Sequence, residues 1–567
     1  MMSVMSDVQK KWTERVSVAS LLIALLLQCG LSMRLKSPAV DEFVHLPVGY
    51  SLWKHGDFLT DPINPPFMRM WAALPLLSRD VDWTFPEEGM RQQYWLGAHQ
   101  FMRDNSDEYQ SMFIAARWMV VLLSLVLAVH VFWWARCLYG RRAGLLALFL
   151  YSFSPNILAH SRLVTADLGG ACFVFLTMFH FWRWARRGCW VHLTGWAVFL
   201  GLALLSKLTA VFLPLFMLAA FFLAGKGDEL KSGKALSAQL ISAIAMMLFV
   251  LNLGYAFQGS LQILSGYEFR SGIGNTVQSV VGFLPVPLPE GFVQGIDHAL
   301  RHDKDLMEDS FYLFGELSST GWWYYFIVAW LLKIPLASLI GQGACLLSRV
   351  RQSVRKERAR AASDEWFLWI PAAGFFCALS IFSSLNIGLR HVLPALPFIF
   401  VLVSSLARHS SNRSGGITLF TGCVWYLGAA LFIFPDHLAY FNELGGGPAS
   451  GRKYLVDSNL DWGQDLIQLR EYLSRRGNPK IKLAYFGRTD PSIYGIEFEP
   501  LTPVPETGLI VISASFLQGR PYVLPLPSDR QPYALAPARQ FIWLQDFEPA
   551  SHIGYSLLVF EIENQKP

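Results

Sequence analysis

GWWYYFIVAWLLKIPLASLIGQGACLLSRVRQSVRKERAR, residues 321–360, decides the fold class. It opens on the aromatic cluster Trp322-Trp323-Tyr324-Tyr325, continues as an apolar run near 322–347, and closes on six basic residues between Arg349 and Arg360. A transmembrane helix takes roughly 20 mostly apolar residues. Trp and Tyr gather at membrane–water interfaces, and Lys and Arg accumulate on the cytoplasmic side. The stretch therefore reads as a span with an aromatic belt outside and a basic cluster within. Lys333 sits mid-span, where a charge is expensive and marks either a ligand or a partner inside the bundle.

The same pattern repeats along the chain. Apolar runs near 16–35, 113–134, 167–184, 236–256, 366–385 and 416–434 read as spans, as do shorter ones near 143–159, 190–205, 208–224 and 392–407. With 322–347 they number eleven. The first follows Lys10, Lys11 and Arg15, and its length suits an uncleaved anchor better than a signal peptide. Basic groups recur in alternate connections: Arg136/Arg141/Arg142, Arg183/Arg186/Arg187, Lys226/Lys231/Lys234 and Arg408/Arg413. This places the N-terminus in the cytoplasm and, the count being odd, the C-terminus outside. The composition agrees. Of 567 residues 53% are hydrophobic and 16% charged, against about 25% charged in a soluble domain. Disorder, a nucleic-acid-binding tail and a purely soluble enzyme are excluded. The seven cysteines lie in or beside apolar runs without metal spacing and read as buried thiols.

The expected architecture is an α-helical polytopic membrane protein with a small C-terminal extracytoplasmic α/β domain. Residues 1–434 form the membrane part, with external loops 36–112 and 257–321, and residues 435–567 the outer domain. In that tail Tyr454–Val456, Ile481–Tyr485, Leu509–Ser513 and Ser556–Ile562 read as strands and Asp465–Arg475 as a helix. In the first loop Pro66–Leu77 is amphipathic and suited to the membrane surface.

Charged residues beside the spans gather on the outer side. Asp41, Glu42 and His45 follow span 1, Arg162 and Asp167 link spans 3 and 4, and Lys207 links spans 5 and 6. Tyr255 ends span 7, and Arg390 and His391 link spans 9 and 10. Carboxylates among cations at that depth suit transfer of a sugar from a lipid-linked phosphate. A carboxylate takes the acceptor's proton, and Arg, Lys and His stabilise the departing phosphate. Each residue has a plainer reading beside this one. Asp41 and Glu42 are also what solvated carboxylates flanking a span look like, and His45 what a surface histidine looks like. Lys207 and Arg390 also fit interfacial anchors, and Arg69 fits either a lipid phosphate or headgroups. Asp41, Glu42 and His45 offer donors to a divalent metal, but a paired carboxylate serves equally as a base, so the chemistry requires no cofactor. Gly446–Arg452 only superficially resembles a P-loop. Asn412-Arg413-Ser414 is a sequon on the cytoplasmic side.

AVDEFVHLPVGYSLWKHGDFLTDPINPPFMRMWAALPLL after span 1, SRLVTADLGG (161–170), LALLSKLTAVFLP (202–214), LNIGLRHVLPALPF (385–398), HLAYFNELGGGP (437–448) and VDSNLDWGQDL (456–466) carry a family resemblance. They are similar to polyprenyl-phosphate-dependent glycosyltransferases of the GT-C superfamily. That group includes protein O-mannosyltransferases and lipid A aminoarabinose transferases, and the chain most resembles a bacterial branch described as phospholipid carrier-dependent glycosyltransferases. The resemblance implies a GT-C helical bundle in the bacterial inner membrane. It implies Asp41 as base with Glu42 beside it, Arg162, Lys207, Arg390 and His391 on the donor phosphate, and Asp167 and Tyr255 orienting substrate. From their placement alone, Arg69 and Lys333 are further candidates for the phosphate and His45 for the substrate. The implied partners are a polyprenyl-phosphate sugar donor, a protein, lipid or glycan acceptor and membrane lipids, with no nucleic acid. Asn64-Pro65-Pro66 stands where relatives often have His-Pro-Pro, and Arg69 where they have Lys. The expected activity is inverting hexosyl or pentosyl transfer at the outer face. The alternatives are a lipid-linked sugar flippase, and an assembly or receptor protein in which VDSNLDWGQDL binds a partner or merely caps a helix.

Overall fold

Long apolar runs become helices because each must satisfy its own backbone hydrogen bonds away from water. The computed structural model describes residues 7–227, 230, 233–302, 310–354, 363–527 and 532–563. Lys231 and the basic residues between Arg355 and Arg360, used above to orient the chain, lie outside the described residues.

Helix α1 (Asp7–Met33) is followed by the loop helices α2 (Val40–His55), α3 (Pro66–Ala73) and α4 (Glu87–Asp104). The bundle continues with α5 (Tyr109–Tyr139), α6 (Arg141–Ser152), α7 (Pro155–Ser161), α8 (Ala166–Arg187), α9 (Trp190–Ser206), α10 (Leu213–Ala224) and α11 (Lys234–Gly254). The second long loop carries α12 (Gly272–Val281), α13 (Glu290–His302) and a hairpin of β1 (Phe311–Leu313) and β2 (Glu316–Ser318). Then come α14 (Tyr325–Lys333), α15 (Leu336–Val354), α16 (Trp366–Phe382), α17 (Ala395–Ser404) and α18 (Arg413–Phe432).

Among the described residues four helices are long and apolar enough to cross a membrane, or six if each of two bent pairs is one span. The pairs are α6–α7, bent 62°, and α14–α15, bent 115°. Both breaks have local causes. Pro155 starts α7 behind Ser154, whose hydroxyl accepts from Ile157 N at 3.4 Å. Pro335 cannot continue α14. Four shorter apolar helices, starting at Trp190, Leu208, Trp366 and Ala395, and the 22-residue α8 account for the remaining expected spans. The sequon residue Asn412 is the N-cap of α18, its side chain accepting from Gly415 N at 2.9 Å.

After α18 the chain crosses the end of the bundle in a series of turns and only then builds its α/β unit. Helix α19 (Leu466–Ser474) packs on a five-stranded sheet of β3 (Ile481–Ala484), β4 (Phe498–Pro500), β5 (Gly508–Ser513), β8 (Ser551–Ile553) and β9 (Leu557–Ile562), in the order β4-β3-β5-β9-β8. The strands β6 (Tyr522–Pro525) and β7 (Tyr533–Ala536) pair separately. Strand β3 runs parallel to β4 and β5, and β9 antiparallel to β5, with Val511 opposite Val559. Both faces of β5 are covered. Val511 joins Leu466, Leu469 and Leu473 on one side, while Ile510 and Ile512 face the main core. That explains the uninterrupted apolar run of the strand. Tyr454–Val456 is not a strand, contrary to expectation. It has no neighbouring strand, and its Tyr454 carbonyl accepts from Phe314 N at the β1–β2 turn (3.1 Å).

The tail is therefore not a detached lobe. Ser37 N donates to Gln464 O and Val40 N to Trp462 O, both at 2.9 Å, tying residues 462–464 to the start of the first loop. Lys36 pairs with both Asp436 and Asp465.

Candidate active site

Four segments meet at the tail-bearing end of the bundle. The first turn of α2 supplies Asp41, the α8 N-terminus Asp167, the α9–α10 link Lys207, and the α16–α17 link Arg390. Asp41 Oδ2 accepts from Arg390 Nη1 at 2.5 Å. The same nitrogen lies 3.7 Å from Asp167 Oδ2. Asp167 Oδ1 accepts from Lys207 Nζ at 2.5 Å. The result is an alternating string, Asp41–Arg390–Asp167–Lys207. Asp167 is 2% exposed, whereas Asp41 is 25% exposed and open to an incoming group. Burial opposes the charge on Arg390, but Asp41, Asp167 and Asp457 hold its pKa above the ordinary value. His391 follows directly, with its ring 6.2 Å from Phe326 and Nε2 unpartnered. Burial first, then Lys207 and Arg390, push it well below the usual histidine range, so it is neutral.

The tail completes this site. The Trp462 ring lies under the Arg390 guanidinium at 4.4 Å. Asn459 Oδ1 accepts from Leu389 N at 3.0 Å, fixing the turn that carries Arg390, and its amide donates to Tyr325 Oη at 2.8 Å. Ser458 Oγ donates to Ile387 O at 2.6 Å. A Cβ on Gly388 would stand 2.2 Å from that hydroxyl, so the close approach needs glycine. Asp457 pairs with Arg520. Asp461 accepts from Ser515 N at 3.0 Å, and burial pushes its carboxyl up to about 7. The capping reading of VDSNLDWGQDL does not hold for its acidic residues. Asp465 occupies the N-cap position of α19 without a capping bond, because its carboxylate is taken by Lys36 and Ser556.

The other expected residues lie outside this string. Glu42 does not stand with Asp41. It is fully buried and accepts from Arg117 Nε (2.9 Å) and Nη2 (2.6 Å), Val164 N (2.9 Å) and Ala39 N (3.0 Å). Arg69 is engaged by Asp61, with Nη1 3.0 Å from Oδ2, and by the Asn64 carbonyl, so it shapes the first loop. Burial pushes the Asp61 carboxyl up to about 6 despite Arg69. A Cβ on Gly49 would lie 2.2 Å from Arg69 O, so glycine lets α2 and α3 cross closely. Arg162 is buried and donates to Pro435 O at 3.5 Å, with Nε and Nη1 unpartnered. Lys333 is spent on the carbonyls of Leu438 (2.7 Å) and Asn459, with Phe441 beneath it at 4.5 Å. His45 shares its helix face with Asp41, and its Nδ1 lies 3.1 Å from Val164 O. Burial lowers its pKa to about 4 although Asp41 opposes the shift, so it is neutral. Tyr255 packs on Phe58 (5.5 Å) and Phe292 (6.5 Å) with its hydroxyl unpartnered. Among the described residues no three His, Cys, Asp or Glu side chains converge as a metal cage.

Sequence reasoning passed over Arg117, Lys36, Asn459 and Trp462. Arg117 had a usable signal, a charge inside an apolar run. Trp462 had none, since its partner Arg390 is 72 residues away in sequence.

Residues 110–255 match the family described as dolichyl-phosphate-mannose-protein mannosyltransferase. The matched segment carries Arg117, Arg162, Asp167 and Lys207, while Asp41 and Arg390 lie outside it. Over that segment the chain is similar to this family, and its long apolar helices are those of a membrane protein. Among solved structures, ArnT from Cupriavidus metallidurans bound to undecaprenyl phosphate is 14% identical, over 96% of this chain and 97% of its own, at a TM-score of 0.47. The Archaeoglobus fulgidus oligosaccharyltransferase complex with Zn and sulfate is 12% identical, over 94% and 74%, at 0.42. No match was found among curated proteins.

Proposed function

We propose that the protein transfers a sugar from a polyprenyl-phosphate-linked donor to an acceptor at the outer face of a bacterial inner membrane, with inversion. The observation that carries this reading is the Asp41–Arg390–Asp167–Lys207 string at one end of the bundle. Asp41, the more exposed carboxylate, accepts the acceptor hydroxyl's proton as that oxygen attacks the sugar C1. The C1–phosphate bond breaks, and its electron pair leaves with the polyprenyl phosphate. Arg390 and Lys207 hold that phosphate and stabilise its growing charge. Asp167 keeps the two cations in place, and neutral His391 offers a further hydrogen bond. A phosphate on Arg390 competes with Asp41 for the guanidinium, so donor binding frees the base when it is needed.

No cofactor enters this scheme. Asp41, Glu42 and His45 face three different partners, Arg390, Arg117 and the Val164 carbonyl, instead of a shared point. The flippase alternative loses its main mid-span charge, because Lys333 is bonded to carbonyls of the tail segment.

The test is transfer by purified full-length protein from synthetic polyprenyl-phosphate sugars, wild type against Asp41→Asn, with the product's anomeric configuration read by NMR. Near-normal turnover in the variant, or a retained configuration, overturns the mechanism. Lipid flipping in vesicles without any transfer overturns the enzyme reading.

A further inference from the structure

The second long loop carries an apolar surface that its own fold leaves open. On α12, Ile273, Val277 and Val280 recur at i, i+4 and i+7 and share one face. They are 61%, 46% and 69% exposed. Asn275, Thr276 and Ser279 occupy a second, polar face, and Gln278 points inward to donate to Leu264 O (3.1 Å) and Tyr267 O (2.8 Å). The adjoining strand-like pair extends the patch with the exposed Leu261, Ile263 and Phe283, joined through Leu264 N to Leu284 O at 3.0 Å. A surface like this facing water would be an aggregation liability.

Its position says what covers it. The loop leaves directly from α11, whose side chains Ile241, Ile244, Phe249 and Leu253 are more than half exposed and make the lipid-facing stripe of a span. The exposed Phe257 continues that stripe to Leu261. Separate apolar and polar faces on a short helix, continuous with a lipid-facing span, make a helix that lies in the plane of the interface.

We infer that α12 and the 261–284 turn are a membrane-surface anchor, inserting the Ile273/Val277/Val280/Phe283 stripe into the leaflet on the tail side of the bundle. The anchor is wired to the site. Asp297 of α13 accepts from Arg270 N (2.7 Å) and Ser271 N (3.1 Å) at the start of α12. Helix α13 in turn packs so closely on the first loop that a Cβ on Gly295 would lie 2.3 Å from Pro62 O, with Leu208, the neighbour of Lys207, next nearest at 3.8 Å. The depth of the anchor therefore sets where the first loop and Lys207 stand relative to lipid headgroups.

The test uses the full chain in phosphatidylethanolamine/phosphatidylglycerol vesicles, in a Cys137→Ala, Cys377→Ala background that removes the two exposed native thiols. Spin labels are placed singly at Val277→Cys, Ser279→Cys and, as a lipid-facing reference, Ile244→Cys. Collision rates with oxygen, which concentrates in lipid, and with a water-soluble nickel chelate are compared. The expected result is an oxygen-to-nickel ratio at 277 that approaches the value at 244 and exceeds the value at 279. A ratio at 277 equal to that at 279 overturns the anchor. So does protection of 277 from both reagents, which with spin–spin broadening would mean a second copy covers the face and without it another protein. The readout needs no sugar donor, so it stands or falls separately from the transferase reading.

Discussion

Asp41 keeps a quarter of its side chain exposed and a single short bond to Arg390, whereas its neighbour Glu42 is sealed and takes four hydrogen bonds from Arg117, Val164 and Ala39. Both sit in the first turn of α2. Successive residues on a helix diverge by about 100°, so one faces the junction of the connections and the other the interior. A buried ion pair with every lone pair satisfied is a clamp, and breaking it leaves an uncompensated charge. A carboxylate with access and one exchangeable partner can do chemistry.

Substitution separates the two. Asp41→Asn should lower transfer by about 10²- to 10⁴-fold, the range for loss of a general base, with little change in the thermal midpoint of the detergent-solubilised protein. Arg117→Met, which strands Glu42, should cost about 3–5 kcal/mol of stability, read as a lowered midpoint, while the protein that remains folded turns over normally. If Arg117→Met instead spared stability and removed activity, Glu42 would belong to the chemistry.

The support under Arg390 gives a smaller effect. Trp462→Ala removes a cation–π contact worth about 0.5–2 kcal/mol, so affinity for a polyprenyl phosphate should fall by about two- to thirty-fold in a titration, and Trp462→Phe should recover most of it. Equal loss in both variants would mean that Trp462 acts by packing alone. Acid should act on the sealed parts before the open ones. Burial lowers His45 and His99 to about 4 from an ordinary 6.5, so the unfolded chain binds protons that the folded chain refuses. Their contribution to stability is complete above pH 6.5 and is lost as pH falls towards 4. Scanning the midpoint across that window should show the decline, and His99→Gln should flatten part of it. The smallest expected effect is that of EDTA, which should leave transfer unchanged; a loss restored by a divalent ion would refute the metal-free scheme.

Residues 16–35, 113–134 and 416–434 were legible as helices because lipid-length apolar runs admit one solution. The strands at Ile481, Leu509 and Leu557 were legible from their apolar alternatives to turns, but Tyr454–Val456 was not, since a short apolar run looks the same whether or not a partner strand exists. Asp41, Asp167, Lys207 and Arg390 could be nominated from their places beside short links. Nothing local showed that Glu42, Arg69 and Lys333 were already committed to Arg117, Asp61 and backbone carbonyls.

The sequence by itself determined that this chain is a helical membrane protein, where its apolar segments fall, and which few charges flank them, because hydropathy and charge cost are properties of each segment alone. Only the tertiary structure decided which charges meet. The string from Asp41 to Lys207, the Glu42 clamp and the Trp462 platform each join residues from separate parts of the chain, and a contact between distant segments exists only once packing brings them within hydrogen-bond reach.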